Sequence, residues 1–342
     1  MQDSSYFVGL DVHRQVIAYC VKTAAGEIVQ EGSVAARRVA LDEWLKTVPG
    51  PWQGALEATL FSHWIYRYLR PHAAGLWMGN PARMKAICSA KKKSDKLDAR
   101  TLADLLRAQL FPACYVIAEE LEGLRRQMRF RRFLVRETVA CKNKAAGLLM
   151  ELGAEYEGRR LHSKRYFASL LKDNPVIDSE LRPLLAFTRE QIEALERMDG
   201  AILRWLENHP LLKARLEALT AIPGVGSVTA LTWALEIAEP ARFHSLKQAV
   251  SYCGFASALR ESAGKQKRGP LSKQRNAHLQ STLIEAAKLA PRYHPTLKTV
   301  YEKACLQGSK NRATLTVARK LTAYLLAADR AFFAQQSHSA AA

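Results

Sequence analysis

Asp11, Glu57, Asp95 and Asp98 are the residues whose type and placement suit chemistry best. Asp11 ends the apolar run Tyr6-Phe7-Val8-Gly9-Leu10, which reads as a strand, and Glu57 ends the short strand Gly54-Ala55-Leu56. Asp95 and Asp98 are three apart in a helical stretch and so share a face. Carboxylates that converge repel one another, and the usual compensation is a pair of Mg²⁺ ions, with Mn²⁺ as a workable substitute. Such ions take oxygen ligands, activate one oxygen and stabilise the leaving one. Phosphodiester cleavage is the chemistry this arrangement serves. Taken singly, Asp95 and Asp98 also read as solvated partners of Lys91, Lys92, Lys93 and Arg100, and Glu57 as an acid at a helix N-terminus.

Ser262 is the second chemical candidate. Between Ser257 and Arg275 the basic residues Arg260, Lys265, Lys267, Arg268, Lys273 and Arg275 face a single acid, Glu261. A serine beside Ala263-Gly264, where backbone can approach a ligand closely, has a phosphate-binding environment. Serines in basic loops mostly hydrogen-bond a phosphate or water without reacting, so composition alone leaves both roles open. No histidine is placed to deprotonate it, and His278, on the following helix, reads as a surface or packing residue.

The elements that must position these groups follow from periodicity. Residues 6 to 30 read as an antiparallel meander, followed by a helix from Arg38 to Val48, the strand ending at Glu57, a helix through Trp64 and Leu69, a strand near Ala74 to Met78, and a basic helical stretch from Arg83 to about Leu110. That order suits a ribonuclease H-like α/β domain. From Glu119 to Asn208 long helices of mixed charge predict a helical hairpin or coiled coil. Further helices run from Leu211 to about Arg330, interrupted by the turn Ile222-Pro223-Gly224-Val225-Gly226 and the basic loop. The segment from Gln335 to Ala342 reads as a frayed tail.

The chain has 342 residues, 51 Lys and Arg against 32 Asp and Glu, and a formal charge of +19, which points to a polyanionic partner. The excess is concentrated. Arg125, Arg126, Arg129, Arg131, Arg132, Arg136, Lys142 and Lys144 lie within one helical segment, interleaved with Phe130 and Phe133, as suits a helix along a phosphate backbone. A solvated helix face is the alternative. The six cysteines lie far apart with no metal-ligand spacing and read as reduced thiols. No run approaches a membrane span, and the start has no signal-peptide pattern, so a soluble intracellular protein is expected.

At these residues the chain resembles a known family. Val8-Gly9-Leu10-Asp11-Val12, Leu56-Glu57-Ala58-Thr59, Gly79-Asn80-Pro81 and Lys93-Ser94-Asp95-Lys96-Leu97-Asp98-Ala99-Arg100 resemble the N-terminal domain of IS110-family transposases. Ala221 to Gly226, Tyr252-Cys253-Gly254-Phe255, Glu261 to Lys265 and Leu271-Ser272-Lys273 are similar to that family's C-terminal transposase domain. Leu60 and Ala263 depart from the pattern, each standing where the family usually has Gly. The resemblance implies a RuvC-like domain with a metal-binding DEDD tetrad at Asp11, Glu57, Asp95 and Asp98, and a serine nucleophile, carried here by Ser262, that forms a phosphoserine link to DNA.

The resemblance also implies donor and target DNA as substrates, a noncoding bridge RNA as guide, and a homo-oligomer, dimer or tetramer. The expected domains are a RuvC-like catalytic domain over 1–118, a helical or coiled-coil region over 119–210, an all-α serine-bearing domain over 211–332 and a tail over 333–342. Expected nucleic-acid contacts are Arg125, Arg126, Arg129, Arg132, Arg136, Gly224, Gly226, Lys265, Lys267, Arg268 and Lys273, the glycines through a turn resembling a helix-hairpin-helix. For that turn, tight interhelical packing is the other reading. The rival functions are a RuvC-like junction nuclease or DNA invertase using the acids, and a nonenzymatic nucleic-acid-binding derivative.

Overall fold

The computed structural model describes residues 6–87, 94–262 and 265–341, which form two compact units, Met1–Val116 and Ile117–Ala342. In the first, β1 (Tyr6–Val12), β2 (Val16–Thr23) and β3 (Ile28–Ala35) make the expected meander. Then follow α1 (Arg38–Thr47), β4 (Trp52–Glu57), α2 (Ser62–Leu69), β5 (Gly75–Gly79), α3 (Pro81–Ile87) and α4 (Asp95–Arg107). The sheet order is β3-β2-β1-β4-β5, with β1 to β3 antiparallel and β4 and β5 parallel to β1. This mixed sheet with flanking helices fits a RuvC-like domain.

Alternation along β1 divides its side chains between two layers. Val8, Leu10 and Val12 are buried with Leu41, Trp44, Ile65 and Leu69 of α1 and α2. The opposite face carries Phe7, Gly9 and Asp11 toward α4. A Cβ on Gly9 would lie 1.9 Å from the carbonyl oxygen of Ala99 and 2.6 Å from the amide nitrogen of Ala103, so only glycine lets α4 rest directly on the strand. Two ion pairs fix the helix further: Lys22 with Asp104 at 2.6 Å, and the Arg100 fork on Glu31 at 2.8 and 2.9 Å.

The second unit begins with α5 (Glu119–Glu151), α6 (Lys164–Asp173) and α7 (Leu181–Glu207). Leu134 and Ile202 share one apolar cluster and Leu149 and Leu185 another, so α5 and α7 run antiparallel. Next come α8 (Pro210–Thr220), α9 (Ser227–Ile237), α10 (Leu246–Tyr252), β6 (Ser257–Ser262), β7 (Lys265–Leu271), α11 (Ala277–Leu289), α12 (Pro295–Leu306) and α13 (Lys310–Ala341). The buried Asp329 of α13 accepts from both the Arg215 fork and the Trp233 indole, which ties α8 and α9 to it.

The structure departs from the sequence expectation at two places here. The basic loop expected within an all-α domain is a two-stranded antiparallel hairpin, β6 with β7. Extended backbone there aligns Arg260 with Lys267 and Ser262 with Lys265 across the hairpin. The last helix also continues past Arg330 to Ala341, through the segment read as a tail.

Candidate active site and basic cleft

Parallel pairing places Leu10 opposite Leu56, so Asp11 and Glu57 follow at the same ends of neighbouring strands. Beyond Glu57 the chain turns sharply, with the Ser62 hydroxyl donating to the Glu57 carbonyl and accepting from the Thr59 amide. Leu60, in that turn, is 88% exposed and has no positive φ, so the departure from glycine introduces no strain. Asn80 accepts from the amides of Ala82 and Arg83 and caps α3, with Pro81 at its first position, which explains Gly79-Asn80-Pro81 locally.

Ser94 caps α4 by accepting from the Leu97 amide at 3.3 Å, leaving Asp95 and Asp98 in the first turn, where the helix dipole favours negative charge. The basic residues nearest them on the helix are directed elsewhere: Lys96 and Arg100 both bind Glu31 and hold its carboxyl down to about 2. Lys91, Lys92 and Lys93 lie outside the described residues.

Asp11 and Asp95 meet through a residue the sequence reading did not single out. His13 Nε2 lies 3.1 Å from Asp11 Oδ2 and 3.4 Å from Asp95 Oδ1, and one ligand atom from each of the three residues lies within 4.8 Å of the other two. Glu57 and Asp98 stand outside this group. Burial raises the Asp11 pKa; the His13 charge and hydrogen bond oppose that rise, and Asp98 and Asp95 add to it by repulsion. Crowded carboxylates with a neighbouring imidazole are a donor set a divalent cation fits.

In the second unit, Arg125, Arg129, Arg132 and Arg136 fall within an arc of about 60° on α5, given 100° per residue. They are one stripe, with Arg126 off its line beside Glu122 at 3.7 Å. Arg129, Arg132 and Arg136 line a cavity of about 460 Å³ with Gly224, Gly226 and Thr229 around the start of α9 and His278 and Ser281 of α11. Burial, followed by repulsion from Arg129, lowers the Arg125 pKa, and burial and Arg136 lower that of Arg132. An anion along the stripe relieves this repulsion.

Not every expected contact residue faces solvent freely. Arg129 donates through Nε and Nη2 to the carboxylate of buried Glu236 at 2.7 Å each, so its fork is committed inside the protein. Arg132 donates to the Ala277 carbonyl at 2.8 Å. Arg136 is exposed and has no ion-pair partner among the described residues. Gly224, at φ +89°, packs against Ala290, where a Cβ would come within 2.8 Å of the Ala290 Cα, so packing alone demands glycine there. Gly226 is open, with nothing within 4 Å of a built Cβ. Ser262 closes β6 opposite Lys265. Its side chain and those of Lys265, Lys267 and Arg268 lie outside the described residues, while Lys273 follows β7, exposed.

Burial pushes the Glu236 pKa up, but Arg129 and Asn276 outweigh it and the net shift is downward. The stabilisation is therefore complete above the ordinary carboxylate value and is lost as pH falls through the lowered one. Arg129→Ala should destabilise the second unit by about 3 kcal/mol by leaving a buried charge unpaired. Arg136→Ala should leave stability within about 0.5 kcal/mol and reduce the log–log salt slope of duplex binding by about 0.9. Denaturant melts and binding across a salt series check both, and an unchanged slope for Arg136→Ala returns that residue to a solvated face.

The first unit is thus a mixed sheet with Asp11 and Glu57 at the ends of parallel strands, and the second a helical unit with an arginine-lined cleft. Residues 8–153 match the profile of the DEDD transposases of the IS110 type, and residues 216–302 that of the transposase IS116/IS110/IS902 family. The chain belongs to the IS110 family of transposases. It is 26% identical over 289 residues to y4qE of Sinorhizobium fredii, named as a candidate transposase, covering 82% of this chain and 70% of the relative. It is 24% identical over 317 residues to the probable family 20 transposase of Pseudomonas aeruginosa, with 91% of each covered. To the transposase for insertion sequence element IS1111A of Coxiella burnetii it is 24% identical over 328 residues, covering 92% and 86%. A DEDD transposase domain uses divalent metal, and no helix among the described residues is long and apolar enough to cross a membrane.

Proposed function

We propose that this transposase is an RNA-guided DNA recombinase that holds Mg²⁺ through Asp11, Glu57, Asp95 and Asp98 and attacks DNA through Ser262. The approach of Asp11 to Asp95, built by a glycine contact between strand and helix, carries the metal part of this reading. Held by these acids, a divalent ion would supply Lewis acidity toward the scissile phosphate and positive charge beside the leaving oxygen. The Ser262 oxygen forms a bond to phosphorus and loses its proton, while the bond from phosphorus to the departing deoxyribose oxygen breaks and that oxygen is protonated. In the second half a deoxyribose hydroxyl of the exchanged strand attacks the phosphoserine, expelling the serine oxygen. The number of phosphodiester bonds is conserved, so no external energy source is required. The arginine stripe binds nucleic acid through phosphates, and the guide is a noncoding bridge RNA. The protein acts in the cytoplasm, at the nucleoid.

The test is to incubate the purified protein with its element-end DNA and guide RNA in Mg²⁺ or in EDTA and resolve the products on denaturing gels. A metal-dependent protein–DNA adduct mapping by mass spectrometry to Ser262 is expected. Metal-dependent cleavage with no adduct would establish the junction nuclease instead.

The same reading makes the chain a homo-oligomer, and α7 supplies a surface for it. Leu184, Phe187, Gln191, Ala194, Met198, Ala201 and Trp205 alternate at spacings of three and four and are all exposed, the four large apolar residues by 54, 59, 52 and 50%. They form a heptad seam on a helix whose other seam packs on α5. In an antiparallel pair of copies, Phe187 of each lies opposite Met198 of the other, and exposed Glu190 flanks exposed Arg197 twice over by symmetry. Phe187→Asp with Met198→Asp should convert a dimer to monomer in light scattering. A double variant that scatters like the wild type would exclude this seam.

A further inference from the structure

We propose that His13 is a nitrogen ligand of the metal that Asp11 and Asp95 hold, and that it makes the site prefer Mn²⁺ to Mg²⁺. This rests on the metal reading above and goes beyond it, because the four acids alone offer only oxygen. His13 is two residues from Asp11, so both project from the same side of the strand end while Val12 between them is buried. Its backbone amide donates to the Val16 carbonyl at 3.0 Å, which places the histidine at the first position of the β1–β2 turn and fixes where its ring begins. The ring is half exposed and points Nε2 between two carboxylate oxygens, 3.1 Å from Asp11 and 3.4 Å from Asp95.

Those separations suit one ion. Ligands about 2.1 Å from a six-coordinate cation lie about 3 Å apart when adjacent and about 4.2 Å apart when opposite. The His13 separations of 3.1 Å from Asp11 and 3.4 Å from Asp95 match the adjacent positions. The imidazole therefore stands where it can join Asp11 and Asp95 on one ion. Mg²⁺ favours oxygen and keeps its water, whereas Mn²⁺ accepts the same octahedral geometry and binds imidazole more readily.

The experiment titrates the full-length protein with Mn²⁺ alone, following bound ion by electron paramagnetic resonance, and then displaces it with Mg²⁺. Wild type, His13→Ala, His13→Asn and Asp11→Asn are compared. The wild type should show nitrogen hyperfine coupling in pulsed spectra and a Mn²⁺ preference. Both His13 variants should lose that coupling and about tenfold or more of Mn²⁺ affinity, with the Mg²⁺ constant changing far less. Mn²⁺ bound without nitrogen coupling in the wild type, yet lost in Asp11→Asn, would overturn the role of His13 and leave the acid site standing. No Mn²⁺ bound by the wild type would overturn both.

Discussion

Asp11→Asn is expected to lower DNA cleavage and strand exchange by about three orders of magnitude or more, the effect of losing several kcal/mol of metal-derived stabilisation. The substitution keeps the side chain's size and removes its charge. Burial raises the Asp11 pKa against the opposing effect of His13, and Asp98 and Asp95 add repulsion that a bound cation would relieve. On the proposed function, which assigns phosphate binding to the arginines of the helical unit, nucleic-acid affinity should change by less than about threefold. Rates come from single-turnover cleavage and affinity from filter binding. Wild-type Mg²⁺-dependent cleavage by Asp11→Asn would sink the assignment of the acids.

Ser262→Ala should abolish recombination and the covalent adduct together. One oxygen is removed, while the basic charge of the hairpin and the acids are untouched, so a loss of activity reports the nucleophile rather than the fold. In a nuclease where water attacks, the same variant keeps cutting. The comparison is made on denaturing gels with the same DNA and RNA. Cleavage by Ser262→Ala, with no adduct from the unmodified protein, would place this chain among hydrolases and against phosphoserine chemistry.

Much of the first unit was legible in the sequence because its strands are short apolar runs bounded by turns and its helices are short and punctuated. Asp11 and Glu57 follow from where apolar runs stop, and Asp95 with Asp98 from a spacing of three, whereas the close contact at Gly9 has no sequence signal. His13 left only the weak signal of Asp-x-His at a strand end, which periodicity does not weigh. The hairpin carrying Ser262 was obscured because glycine, proline and scattered lysines interrupt the alternation that marks a strand. Arg129 looked like its neighbours on α5 because its partner, Glu236, lies 107 residues away and local spacing says nothing of it. The pair at Gly224 and Gly226 shows the same limit: one serves packing and the other faces open space, and their sequence context does not distinguish them.

The contact at Gly9 also determines what sets the distance between the two aspartates. Since main chain meets main chain there, the spacing of Asp11 and Asp95 is gauged by peptide planes rather than by side-chain bulk. Substitutions in the layer of Leu102, Leu105 and Leu106 can thus weaken the unit while leaving that gauge unchanged. The interior can then vary while Asp11 and Asp95 keep their spacing, as long as that one position never acquires a side chain.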